Sequence, residues 1–103
     1  MTSALEWSEN ARADLLAIID HISDDSPQAA QDLKNEIESK ANILPANPRM
    51  YAKSKRAPGY RQLTVRDNYL VFYRLLPTEK DPLVIDVAAV VHSRRNWPPP
   101  SAT

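Results

Sequence analysis

Apolar and polar positions change their period twice along the chain, and those changes mark its elements. Leu5 and Trp7 alternate with polar neighbours, the two-residue period of a strand over residues 3–7. From Ser8 onward the period lengthens. Ala11, Leu15, Ile18, Ile19 and Ile22 recur three or four residues apart and so share one stripe of a helix. Ser8 suits the N-cap and Glu9 the first turn, and the helix should run to about Ile22. Ser23-Asp24-Asp25-Ser26-Pro27 then breaks the pattern and supplies a fresh cap with a proline for the first helical position. Ala30, Leu33, Ile37, Ala41 and Leu44 carry a second stripe until Pro45 stops it. The result is a helical hairpin whose apolar stripes need a cover.

Three runs rich in β-branched and aromatic residues, 60–65, 69–76 and 83–91, supply that cover. Residues 66–68 and 77–82 have turn chemistry, so sequential antiparallel hairpins are the economical connection. The last run is apolar almost throughout, which marks a central, buried strand. The expected fold is α+β in the order β-α-α-β-β-β: a short N-terminal strand, a helical hairpin and a three-stranded antiparallel sheet. Between helices and sheet, residues 45–59 form an exposed basic connection carrying Arg49, Lys53, Lys55 and Arg56. One domain should span residues 1–97, and the proline-rich residues 98–103 should be an extended or disordered tail.

Composition narrows the function classes. A chain of 103 residues, 43% hydrophobic and 25% charged, has room for one core and does not read as disordered. Without cysteine there is no disulfide framework, thiolate nucleophile or zinc ribbon, and a reducing compartment fits best. The first residues lack the basic start and apolar run of a secretory signal, and no stretch is long and apolar enough for a membrane; a cytoplasmic location is expected. The net charge of zero hides a division along the chain. Residues 1–44 hold nine acids against three bases, a balance of −6, whereas from Pro45 onward ten bases face four acids, a balance of +6. The second half should therefore meet an anionic ligand or an acidic partner.

Leu5-Glu6-Trp7-Ser8, Gly59-Tyr60-Arg61, Tyr69-Leu70-Val71-Phe72-Tyr73-Arg74 and Val90-Val91-His92-Ser93-Arg94-Arg95-Asn96-Trp97-Pro98, in that order, resemble the RelE/ParE superfamily of type II toxin–antitoxin toxins over nearly the whole chain. The resemblance implies a toxin neutralised by a cognate antitoxin protein, in a possible hetero-oligomer, and needing no cofactor. It also implies one of two activities: RelE-like members cut mRNA on the ribosome, while ParE-like members poison DNA gyrase. By the RelE-like pattern the second strand should carry bases at alternate positions, yet Arg61 is followed by Leu63. Leu70 stands where an arginine is expected, and prolines replace a late tyrosine. Each lost donor of this kind costs about 2.7–4 kcal/mol of transition-state stabilisation. The ParE-like branch is therefore the closer one, making this an inhibitory binding protein rather than an enzyme. The alternative, a ribosome-dependent mRNA endonuclease, would use Arg61, Arg94 and His92.

The residues expected to contact the target are Arg61, Arg94, Arg95 and Trp97, because arginine beside a large aromatic is the usual composition of a binding hot spot. Trp97 folding back over the core edge is the competing use of that side chain. The loop cations Arg49, Lys53, Lys55 and Arg56 suit either nucleic acid or an antitoxin's acids. His92 stands beside two arginines, but a histidine at a strand end more often bonds a nearby carbonyl. His21 reads as a dipole partner at a helix C-terminus, Tyr69 and Tyr73 as core residues, and two separated histidines make no metal site.

Overall fold

A computed structural model describes residues 4–77 and 84–95. The chain enters through β1 (Ala4–Trp7) and turns at Ser8 into α1 (Glu9–Ser23). The Ser8 hydroxyl accepts the Ala11 N–H at 3.0 Å, satisfying one of the N–H groups that the first helical turn leaves without a partner. α2 (Pro27–Ala41) starts the same way, with Ser26 accepting from Ala29 and Pro27 fixing the first helical φ. The helix ends at Ala41, three residues before the apolar stripe does. Leu44 donates its N–H to the Ala41 carbonyl, a tighter bond that ends the regular coil while still turning the fully buried Leu44 inward.

β2 (Arg61–Val65), β3 (Tyr69–Leu76) and β4 (Val84–His92) then form two successive antiparallel pairs. β1 adds itself to the far side of β4 in parallel, giving one four-stranded sheet in the order β1-β4-β3-β2. β4 is thus a central strand, paired on both sides, which explains its near-continuous apolar run. Arg66 and Asp67 both hold positive φ (55° and 62°) in the β2–β3 turn, closed by the Asn68 N–H on the Val65 carbonyl.

A bulge on β4 reverses its side-chain alternation. Phe72 pairs with Ala89 and Tyr73 with Val87, leaving Ala88 extra. Before it Ile85 and Val87 face the helices; after it Val90 does. α1 satisfies the backbone groups released there: Ser8 and Asn10 donate to the Ala88 carbonyl at 3.2 and 3.3 Å, and Asp14 accepts the Val90 N–H at 3.1 Å.

The main core lies between sheet and helical hairpin, where Ala11, Leu15, Leu33, Ile37 and Leu44 meet Leu63, Val65, Val71, Tyr73, Ile85, Val87 and Val90. Tyr73 is fully buried within it, as its strand parity with Val71 predicts, and burial pushes its phenol pKa up. The opposite sheet face carries a second, smaller core of Leu70, Phe72, Ala89 and Val91, closed by Ala57 and the half-buried Tyr60. The connection between helices and sheet is therefore not simply exposed. Its cations are exposed while Ala57 is fully buried, because a sheet with large apolar residues on both faces needs a cover on each.

Candidate functional site

The strand register decides which predicted site residues can act together. Arg61 pairs with Tyr73, and Tyr73 with Val87; His92 pairs with Tyr69, at the other end of β3. Four residues of strand, roughly 13 Å, separate these two levels. Arg61 therefore stands at one end of the sheet, and His92, Arg94 and Arg95 at the other. Leu63 is fully buried on the helix face and Leu70 is 3% exposed on the opposite face, so neither position borders an exposed site.

At the β4 end the chain makes a tightly held turn. The Arg95 N–H bonds the His92 carbonyl at 2.9 Å and the Ser93 N–H bonds the Asn68 carbonyl at 2.6 Å. His92 Nδ1 accepts the Arg94 N–H at 3.1 Å while its ring meets Tyr69 edge-on at 5.4 Å between centroids. Nδ1 is thereby already occupied as the acceptor of a backbone N–H within its own turn. Arg56 reaches across from the loop and donates to the Ser93 carbonyl at 2.8 Å and to the Arg95 carbonyl. The backbone of residues 92–95 is thereby fixed from both sides, while the Arg94 and Arg95 side chains remain exposed. Next to them, Tyr69, Val90, His92, Arg95 and the α1 residues His21 and Ile22 line a pocket of about 380 Å³. Trp97 and residues 98–103 lie outside the described residues, as does the start of the last predicted strand at Leu83.

Asp14 connects this end to the β4 bulge. Partial burial raises its pKa above the ordinary 3.8, against the pull of the Val90 N–H and the field of Arg95. A carboxyl whose pKa rises on folding favours the folded state below its unfolded pKa and loses that contribution as pH climbs through the folded value. Asp14→Asn keeps an acceptor for Val90 and cannot ionise. Melting curves should show its stability relative to the parent chain increasing as pH rises from below the ordinary 3.8 through the raised folded value, and level thereafter; a flat difference would mean that Asp14 carries no such strain.

At the opposite end, Arg61 Nη1 donates to the Tyr51 carbonyl at 2.7 Å, and Arg74 bonds Asp86 at 2.9 Å with its guanidinium over the Tyr60 ring at 5.5 Å. The loop cations divide between the two ends: Arg49 and Lys53 stand near Arg61, while Arg56 holds the β4 turn. Lys55 is exposed. Arg74 was missed as a site residue in the sequence, where one arginine at the end of an aromatic strand reads as solvated surface. Among the described residues no cluster of His, Asp or Glu could hold a metal ion, and no helix is long and apolar enough to cross a membrane.

A helical hairpin on a mixed four-stranded sheet, ending in an arginine-bearing turn, is the arrangement expected of the small toxins of toxin–antitoxin pairs. Residues 5–97 match the family described as ParE toxin of type II toxin-antitoxin system, parDE, and the chain belongs to that family. Among solved structures it is similar to a chain of the chromosomal ParDE TA system from P. aeruginosa, at 25% identity and a TM-score of 0.70, over 88% of this chain and 96% of that one. No curated protein matches it.

Proposed function

We propose that this toxin acts by binding and poisoning DNA gyrase through the turn that carries Arg94 and Arg95, and that a cognate antitoxin neutralises it. The observation supporting a binding rather than a cleaving toxin is the separation of Arg61 from His92 and Arg94. Cleavage of RNA by its 2′-hydroxyl needs a base, cations at the phosphorane and a proton donor around one phosphate. Here the candidates stand at opposite ends of β3, His92 Nδ1 accepts the Arg94 N–H, and Leu63 and Leu70 are core residues. Two exposed arginines on a preorganised turn instead suit a protein contact, because little conformational freedom remains to be lost on binding.

The similar P. aeruginosa chain comes from a toxin–antitoxin system, which supports an antitoxin partner for this one. An apolar groove of about 360 Å³, lined by Trp7, Leu15, Leu16 and Ile19 and leaving Leu16 62% exposed, offers the antitoxin surface to bury. Gyrase is the target assigned by resemblance to the ParE-like branch. The assay pairs gyrase supercoiling with mRNA cleavage in a translating extract, both with the purified chain. Loss of supercoiling without cleavage is expected; cleavage with supercoiling intact would replace this reading with the ribonuclease one.

A further inference from the structure

Four cations dispersed in the sequence line one cleft. Arg49 and Lys53 from the loop, Arg61 at the start of β2 and Arg74 late in β3 surround about 430 Å³, together with Gly59, Tyr60 and Leu75. Two of these cations are held in place: Arg61 by the Tyr51 carbonyl, Arg74 by Asp86 and the Tyr60 ring. The other two, Arg49 and Lys53, are exposed and have no hydrogen bond or ion pair among the described residues. Gly59 shapes the wall. Its φ of +91° belongs to glycine, and it lets the loop turn back into β2 beside the cations.

We propose that this cleft binds an acidic peptide segment of a protein partner, seating carboxylates among Arg49, Lys53 and Arg61. Guanidinium forks match carboxylates in bidentate geometry, and a fixed arginine beside two unengaged cations is a partly preorganised receptor for them. A nucleic acid fits less well. The chain has zero net charge and an isoelectric point near 6.7, whereas nucleic-acid-binding domains carry a basic excess spread along a track. The cations here are also bounded by acids. Arg74 pairs across the sheet with Asp86, and Asp86 with Glu6, which is exposed on β1. A continuous phosphate backbone leaving the cleft in that direction would meet two carboxylates, while a short acidic segment ends before them. The cleft and the Arg94–Arg95 turn lie at opposite ends of the sheet, so the proposal holds whichever target those arginines meet.

The test titrates the isotopically labelled chain with a short glutamate-rich peptide capped at both ends, and separately with oligothymidylate of equal charge. Saturable shifts from the peptide at residues 49, 53, 61 and 74 are expected, with oligothymidylate weaker by about tenfold. Arg49→Ala/Lys53→Ala, two exposed positions that leave the fold intact, should weaken the peptide by about tenfold or more. Absence of saturable shifts at the cleft, unchanged affinity in the double variant, or oligothymidylate binding as tightly as the peptide would each overturn the proposal.

Discussion

Replacing Arg94 and Arg95 together by alanine is expected to abolish growth inhibition when the chain is produced in cells, while thermal stability stays within about 0.5 kcal/mol of the parent. The turn does not rest on their side chains. Its backbone bonds use the amides of Ser93, Arg94 and Arg95, the His92 ring and carbonyl, and the Arg56 guanidinium, all of which alanine leaves in place. What is lost is binding. An arginine at the centre of an interface commonly contributes about 2 kcal/mol or more, so removing two should weaken target affinity by a hundredfold or more. Arg56→Ala supplies the contrast, because it keeps both arginines and frees the carbonyls that hold them. It should reduce toxicity by less. Full toxicity in the Arg94→Ala/Arg95→Ala variant, at equal protein level, would remove this turn from the interface.

The second large effect concerns stability. Phe72→Ala should cost about 3–5 kcal/mol, measured as a lower midpoint in urea unfolding. Phe72 is fully buried, but it faces away from the helices, into the small core closed by Ala57 and Tyr60. A single domain has only about 5–15 kcal/mol to lose, so this one truncation removes a large share of it. A cost near 1 kcal/mol would instead mean that the loop merely lies over this face and yields to fill the space.

That second core shows where sequence reasoning stopped. The helices were legible because Ser8, Ser26 and Pro27 are unambiguous start signals and the apolar stripes repeat at helical spacing. β3 reproduces the predicted residues 69–76, and β4 was recognisable as central from its lack of alternation. The same lack of alternation also hid the bulge at Ala88, since a run apolar on both faces carries no parity to read. Nothing local showed that Ala57 would be buried, because an alanine among Lys55, Arg56 and Pro58 looks like any loop residue. The pairing of β1 with β4 joins positions some eighty residues apart, and hydrophobic pattern does not encode which edge a short strand will take.

The candidate site was legible as residue types and not as groups. Arg94 and Arg95, named there as contact residues, are exposed on one turn. Arg61, assigned to the same surface, belongs to the far end, because strand register and not sequence proximity sets the distance. Arg56 reads as one more loop cation, yet its guanidinium bonds two carbonyls of the turn. Long-range side-chain-to-carbonyl bonds of this kind leave no periodic trace.

The most direct measurement is of gyrase caught in mid-reaction. Purified gyrase, plasmid and ATP are incubated with the chain, and the DNA is analysed after denaturing the enzyme. Linear plasmid that accumulates with toxin dose, and fails to accumulate with the Arg94→Ala/Arg95→Ala variant, is the predicted result. Plasmid that stays intact and becomes fully supercoiled at every dose would contradict a gyrase poison built on this turn.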